Sequence, residues 1–149
     1  MKISTRGEYG IRAMLDIALN SGEGPVTLKS ISERQEISEP YLEQLVSCLR
    51  KAGLVVSTRG AQGGYELGRE PDRITIGDLL RVLEGPIAPV ECVNEAGNDR
   101  ACSNAHHCAT RVLWQKLRDS MIEVLDSTTL ADLVETSKNL DKEGIMYYI

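Results

Sequence analysis

The amino-acid sequence predicts a mostly α-helical protein with one small β-hairpin. Three amphipathic segments come first in its 149 residues, and two short β-prone runs joined by a glycine-rich turn follow them. A longer segment near the end carries more apolar positions than the remaining short helices can cover. Three helices followed by a two-stranded hairpin are typical of the winged helix-turn-helix fold, extended here by a long C-terminal dimerisation helix.

Apolar residues at intervals of three and four positions predict the three helices of this head. The first runs from Thr5 to about Asn20. The second spans Leu28 to Gln35 behind a Thr27 cap, and the third follows a Ser38 cap and stops at Gly53. Each helix therefore has one apolar face for a shared core.

A β-hairpin is expected directly after the third helix. The β-prone runs Leu54–Ser57 and Tyr65–Leu67 are joined by the turn Thr58–Gly64, which contains three glycines and Arg59. Such a turn is flexible and carries one cation at its tip. It corresponds to the wing of a winged helix.

The second half of the chain contains the remaining helices. Thr75 caps a fourth helix that ends at Gly85, and Ala109–Asp126 forms the long helix with the broad apolar face. Leu130–Thr136 is the clearest segment left to cover that face, and we expect Met146–Ile149 to pack as a strand or tail against the body. The uncovered apolar surface predicts a second copy of the chain as partner.

Charge and composition limit the classes of function. The chain holds 17 Lys and Arg against 22 Asp and Glu, a net charge of -5, and residues 1–70 contain 9 of each sign. An acidic total argues against non-specific coating of nucleic acid and allows a specific binder with local basic groups. No apolar run reaches membrane length and no signal peptide is recognisable, so we expect a cytoplasmic protein. No nucleophile elbow is present either, and we expect no enzymatic activity.

The exposed face of the third helix carries side chains that can meet base edges and phosphates. These residues are Glu39, Tyr41, Glu43, Gln44, Ser47 and Lys51. At the hairpin tip, Arg59 can enter a minor groove, and Gly60 allows the backbone to approach the sugar-phosphate wall. The alternative is a small helical core whose exposed face is only solvated.

One polar loop gathers three of the four cysteines and both histidines. Cys92, Cys102 and Cys108 lie ten and six positions apart, with His106 and His107 beside the last thiol. This polar segment cannot bury much apolar area, so a metal centre is the simplest means of ordering it. The spacing matches neither a paired zinc ribbon nor a ferredoxin run, and both zinc and an iron-sulfur cluster remain open. Cys48, inside the third helix, is expected to be a small apolar filler.

Five stretches of the chain carry a family resemblance: Met1–Gly10, Ile37–Leu45, Leu49–Val55, Arg59–Gly68 and Leu125–Leu130. Together they resemble the bacterial repressor family that includes IscR, NsrR and CymR. The resemblance implies a homodimeric winged helix-turn-helix regulator that binds palindromic operators. It also implies a DNA-binding domain over residues 1–84, a cluster-binding loop over 85–108, and a dimerisation helix with its tail over 109–149.

The cysteine loop is similar to the cluster-bearing branch of that family. The resemblance implies a labile 2Fe-2S cluster, as in IscR-type members, or a nitric-oxide-sensitive cluster, as in NsrR-type members. Carried over to this chain, the thiolate ligands are Cys92, Cys102 and Cys108. The family's histidine is replaced by Arg111, so the fourth ligand is expected to be His107, with His106 or the partner subunit's Glu8 as alternatives.

Two other segments are similar to CymR, the cysteine-metabolism repressor. They are the turn Leu83–Ile87 and the C-terminal residues Tyr147, Tyr148 and Ile149. CymR-like members lack the cysteine loop and bind cysteine synthase, an enzyme that accepts a terminal isoleucine carboxylate. The resemblance therefore implies cysteine synthase as an alternative partner, bound through this tail.

The expected function is a repressor that senses iron-sulfur status and controls cluster biogenesis genes, with DNA site choice depending on cluster occupancy. The alternatives are a cluster-free repressor of cysteine metabolism and a nitric oxide sensor. The resemblance implies that Glu43 discriminates between classes of DNA site. The residues expected to contact DNA are Lys2, Thr5, Ser38, Tyr41, Glu43, Gln44, Arg59 and Gly60.

Overall fold

A computed structural model describes residues 2–97 and 102–147, with side chains as far as Gly144. The predicted mostly helical class is confirmed, with a two-stranded antiparallel sheet as its β component. The elements in chain order are α1 Thr5–Asn20, α2 Leu28–Gln35, α3 Glu39–Lys51, β1 Val55–Thr58, β2 Gly64–Leu67, α4 Ile76–Glu84, α5 Ala109–Ser127 and α6 Leu130–Tyr147.

The core of the head is built from the apolar faces that the helical spacing predicts. Helices α1, α2, α3 and α4 each contribute fully buried side chains, among them Met14, Ile31, Leu45 and Leu79. Helix α4 begins with a capping box, in which the Asp78 amide donates to the Thr75 hydroxyl while the Thr75 amide donates to the Asp78 carboxylate.

Helices α1 and α4 approach each other closely because α1 presents two glycines where they meet. A Cβ atom at Gly7 would overlap the Glu84 carboxylate, and one at Gly10 would overlap the Leu83 side chain. The last turn of α4 therefore lies directly against the first two turns of α1. This close approach sets the position from which residues 85–108 leave the head.

The hairpin is confirmed as a wing fastened to the head at its base. Strands β1 and β2 pair antiparallel from Val55 opposite Leu67 to Thr58 opposite Gly64, one residue later in β1 than expected. Tyr65 exchanges two backbone hydrogen bonds with Val26, at 2.9 and 2.8 Å, just before α2. The base of the wing is thus held by the helix-turn-helix, while its turn projects outward.

The C-terminal helices depart from the sequence prediction in length. Leu130 is 0% exposed and joins the core of the head. Helix α6 continues to Tyr147 instead of ending near Thr136, because residues 138–143 contain helix formers such as Leu140, Lys142 and Glu143 with no glycine or proline. The expected strand or tail is therefore wrong up to Tyr147, and residues 148 and 149 lie outside the described part of the chain.

Helix α5 has no buried residue in the single chain. Val112, Leu113 and Val124 are each more than half exposed, and Trp114 and Leu117 are only half-buried. The broad apolar face predicted for this helix is therefore largely open to solvent in one copy. Among the described residues, no helix is long and apolar enough to cross a bilayer.

A buried carboxylate joins α1 to α2. Asp16 is 2% exposed and accepts hydrogen bonds from Arg34 Nε at 2.9 Å, Arg34 Nη2 at 2.7 Å and Gln35 Nε2 at 3.0 Å. These bonds replace the water that the charge loses on burial. They hold the first helix of the helix-turn-helix against α1, which sets the platform for α3.

Replacing Asp16 with Asn should lower the free energy of unfolding by about 2 kcal/mol, because the amide loses charge-assisted bonds and points a donor at other donors. Urea denaturation at fixed protein concentration measures the change. Asp119→Asn is the matched control. Asp119 is 67% exposed in its pair with Arg118, so less than about 0.5 kcal/mol should be lost. Equal losses in both variants would contradict the structural role of Asp16.

Candidate DNA-binding face and cysteine loop

The outward face of α3 carries most of the side chains that sequence reasoning assigned to DNA. Glu43 and Gln44 are exposed in the second turn, and Ser47 is half-buried one turn later. With Arg50 and Tyr65 they line an open groove of about 510 Å³ between α3 and the wing. Polar groups of both signs therefore lie side by side along the surface that projects from the head.

The first turn of α3 fits a contact with a phosphate or a base. Ser38 occupies the N-cap position, yet its side chain makes no capping hydrogen bond and is exposed. The capping bond expected there is therefore absent, and the hydroxyl and the helix N-terminus both face outward. Tyr41 is half-buried, and its ring meets Tyr9 of α1 edge-on at a centroid distance of 6.0 Å.

The wing tip and the N-terminus supply the other predicted contacts. Arg59 and Gly60 are exposed in the turn between β1 and β2, and Lys2 and Thr5 are exposed at the start of α1. The cationic tip is on the same structural unit as the α3 groove, since Tyr65 belongs to both the groove and the wing. Whether these residues contact DNA stays a prediction.

Arg81 holds the first part of the cysteine loop in place. Its guanidinium donates to Glu95 at 2.8 Å and to both oxygens of Asp126 in α5 at 2.8 and 2.9 Å. The other oxygen of Glu95 accepts from the Ile87 amide at 2.6 Å. These bonds raise the pKa of Arg81 and lower the pKa of Asp126, chiefly through their mutual hydrogen bonds. The loop start, α4 and α5 are thus joined at one side chain.

A second anchor lies beside the first predicted cysteine ligand. Arg118 of α5 donates to the Val93 carbonyl at 3.1 Å, and the Val93 side chain is 2% exposed. Cys92 is therefore held half-buried in a short 3₁₀ turn, Glu91–Val93, that packs against α5. Its backbone position is fixed by neighbours that bind no metal.

The structure does not bring the predicted metal ligands together. Cys102 is exposed and Cys108 half-buried, and both His106 and His107 are exposed in a 3₁₀ turn just before α5. Within residues 2–97 and 102–147, no three His, Cys, Asp or Glu side chains are close enough to hold a metal ion. The donor chemistry suits an iron-sulfur cluster, because thiolates are its usual ligands, but the described geometry does not form the site.

Cys108 differs from its neighbours in its hydrogen bonding. Its sulfur lies 3.1 Å from the Thr110 hydroxyl at the start of α5. This hydrogen bond lowers the pKa of the thiol, with further help from the Arg111 backbone amide. The thiolate, the form that binds metals and reacts with electrophiles, is favoured there.

Cys48 is not the apolar filler that the sequence suggested. It is half-buried, and its sulfur accepts a hydrogen bond from Arg6 Nη2 at 2.7 Å. Local sequence patterns do not reveal this pair, because the two residues are 42 positions apart. Arg81 was missed for the same reason, although an arginine close to the apolar face of a short helix is a usable sign of a buried or half-buried ion pair.

Taken together, these elements define a winged helix-turn-helix protein with an exposed polar recognition face. The sequence profile of the Rrf2 family, described as iron-dependent transcriptional regulators, matches residues 3–136. The chain belongs to the Rrf2 family of transcriptional regulators.

Two members of this family are similar to the chain over most of their length. The regulator CymR of Bacillus subtilis is 53% identical over 149 residues, which cover all of both chains. IscR of Sodalis glossinidius is 45% identical over 141 residues, covering 95% of this chain and 83% of that protein. Both are named as transcriptional regulators of the helix-turn-helix type.

Solved structures agree with the sequence comparisons. B. subtilis CymR, described as the global cysteine regulator, superposes with a TM-score of 0.76 at 56% identity over 91% of this chain and 98% of that one. IscR of T. potens superposes with a TM-score of 0.75 at 51% identity over 92% and 88%. The frame is therefore common to IscR-type and CymR-type members.

Thr110→Val should raise the pH at which Cys108 becomes reactive, because the thiolate loses its hydroxyl donor. Alkylation by iodoacetamide across pH, in metal-free protein, measures the midpoint. Cys102 and Cys108 share one tryptic peptide, so fragment ions are needed to separate them. Thr110→Ser is the control that keeps the hydroxyl and should retain the wild-type midpoint. An unchanged midpoint in Thr110→Val would rule out this hydrogen bond as the cause.

Proposed function

We propose that this chain is a dimeric DNA-binding repressor whose cysteine loop, residues 85–108, senses iron-sulfur status. The observation that carries the proposal is the joining of that loop to the DNA-binding head through Arg81. Glu95 of the loop and Asp126 of α5 share this one guanidinium, and Arg81 belongs to α4 of the head. A change in the loop can therefore alter how the head sits on α5.

The DNA-binding part of the proposal rests on α3 and the wing. Two copies of the chain, joined along the open apolar face of α5, would present two α3 helices to a palindromic operator. Gln44 suits adenine, whereas Glu43 is repelled by phosphates and tolerated where it accepts from a cytosine amino group. Glu43 is therefore the residue that we assign to discrimination between DNA sites. Arg59 at the wing tip suits a narrow minor groove.

The sensory part rests on the three thiols of the loop. Thiolates of Cys92, Cys102 and Cys108 would hold a 2Fe-2S cluster, with His107, His106 or the partner subunit's Glu8 as fourth ligand. The cluster would be the sensing cofactor, because it would be lost on oxidation or on exposure to nitric oxide. The chain itself contributes the anchored Cys92, the lowered pKa of Cys108, and a start of the loop that is tied to α4 and α5.

A second function is favoured by a separate observation. The identity to B. subtilis CymR extends over the complete length of both chains, and that protein is described as the global cysteine regulator. A CymR-like function would make this chain a repressor of cysteine metabolism, controlled by cysteine synthase through Tyr147, Tyr148 and Ile149. The thiols of the loop would then have no sensory role.

Arg59→Ala should weaken operator binding about tenfold, because one wing cation is lost from each subunit. The probe is the tightest duplex that the wild-type protein selects from a random-sequence library, and fluorescence anisotropy measures the affinity. Arg69→Ala removes the same charge just past β2, away from the turn, and should leave the affinity within about twofold. Equal losses in the two variants would mean that the wing tip makes no specific contact.

Wild-type protein reconstituted anaerobically with iron and sulfide should be coloured and contain the two elements in equal amounts. Cys92→Ser should abolish this colour, because one thiolate ligand is lost. Cys48→Ser is the control, since Cys48 lies in α3, outside the loop, and should retain the cluster. Visible absorption together with iron and sulfide analysis gives the result.

Colourless protein in every case would reject the cluster sensor. Deletion of residues 147–149 then tests the remaining candidate function, a CymR-like repressor. A repressor controlled by cysteine synthase would lose its response to that enzyme in an operator-binding assay, whereas Cys92→Ser would respond normally. If the deletion also changed nothing, the CymR-like proposal would fall as well.

A further inference from the structure

Arg6 joins three helices of the head with a single guanidinium. It lies half-buried in the first turn of α1, where Nε donates to the Leu83 carbonyl of α4 at 2.8 Å. Its Nη2 donates to the Cys48 sulfur of α3 at 2.7 Å. The Leu83 carbonyl is one of the last four of its helix, which have no partner within the helix. Arg6 therefore provides a hydrogen-bond donor for the end of α4 and at the same time contacts α3.

The surrounding packing holds Arg6 at this junction. Gly7 and Gly10 allow α1 to lie against the last turn of α4, as described above. Ser4, the N-cap of α1, donates from its amide to Glu84 at 2.6 Å and so fastens the same two helix ends. With α1 and α4 fixed to each other, the hydrogen bond to Cys48 links the guanidinium to α3.

Cys48 lies in α3 close to the side chains that face the groove. Gln44 lies one helical turn before Cys48 and Ser47 directly before it, and both line the groove between α3 and the wing. A small rotation or shift of α3 at Cys48 therefore moves the side chains that face outward. Helix α4, at the other end of the link, runs directly into residues 85–108.

We propose that Arg6 is a positioning residue for DNA recognition, which orients α3 through Cys48 relative to the end of α4. The inference rests on the proposed DNA binding by α3 and deepens it. Arg6 itself does not need to touch DNA. A displacement of the end of α4 by the cysteine loop would reach α3 through this guanidinium in addition to the apolar packing between the two helices.

A double-mutant cycle tests the inference with Arg6→Gln, Cys48→Ala and the combined variant. The probe is the selected duplex of the preceding section, compared with a duplex of scrambled sequence. Each single change should weaken binding to the selected duplex about fivefold, and the combined change no further, because both remove the same contact. Binding to the scrambled duplex should stay unchanged, since the phosphate-binding cations remain.

Cys48→Ser is the matched control, because the serine hydroxyl still accepts from Arg6, and it should bind like wild type. A direct phosphate contact by Arg6 predicts a different pattern: Arg6→Gln alone weakens both duplexes and reduces the salt slope by about one, while Cys48→Ala has no effect. That result would overturn the inference, as would additive losses in the double variant.

Two further comparisons distinguish failure of the inference from misfolding and from failure of DNA binding. If Arg6→Gln does not fold, the comparison of Cys48→Ala with Cys48→Ser alone decides, and equal affinities for the selected duplex would reject the inference. Failure of the wild-type protein to select any duplex would instead reject DNA binding by α3. The selected and scrambled duplexes are compared in metal-free protein, so the outcome does not depend on cluster sensing.

Discussion

The side chain of Arg81 is the point at which the parts of this structure meet. It belongs to α4, which packs in the head, and it binds Glu95 in the cysteine loop and Asp126 near the end of α5. The Arg81 side chain is 30% exposed and the Asp126 side chain 40%, so solvent screens the pair and each bond stabilises the fold by at most about 1 kcal/mol. Its importance is geometric, because a planar guanidinium fixes the relative direction of the three segments that it joins.

Backbone hydrogen bonds also join the start of α4 to the segment between α5 and α6. The Ile76 amide donates to the Thr128 carbonyl at 2.9 Å, and the Leu130 amide donates to the Ile74 carbonyl at 2.8 Å. The Arg81–Asp126 pair also requires Gly77, since a Cβ atom there would overlap the Asp126 carboxylate. The junction of α5 and α6 is thus fixed to the start of α4, whereas the beginning of α5 directly follows Cys108 and the helix has no buried residue.

Much of the head follows from the sequence because its causes are local. Helical spacing, the Thr27 and Thr75 caps and the glycine-rich turn depend on residues a few positions apart, and the structure confirms the elements that they predict. Ser38 is the N-cap that the sequence predicts, but its side chain is exposed and makes no capping hydrogen bond. Local pattern gives the frame and the boundaries to within a few residues.

The remainder could not be predicted because it depends on contacts between distant residues. The Arg6–Cys48 and Arg81–Asp126 pairs join positions 42 and 45 apart, and no periodicity marks them. The apolar spacing of α1 does not single out Asp16, although this residue lies among Ala13, Met14 and Ile17, which are fully buried. A carboxylate on an apolar stripe is a sign of a buried ion pair. The division into residues 1–84, 85–108 and 109–149 stays a prediction, and Leu130 shows that the last part contributes to the core of the first.

The cysteine loop is the segment on which the two proposed modes of regulation differ. IscR and CymR relatives superpose on it almost equally well, with TM-scores of 0.75 and 0.76, so the fold does not choose between their modes of regulation. Arg118 binds Val93 and Arg81 binds Glu95, so two residues just after Cys92 are held without a thiol or a histidine. The start of the loop is thus held by protein contacts. A cluster at the thiols would act on α4 through this anchored start and Arg81.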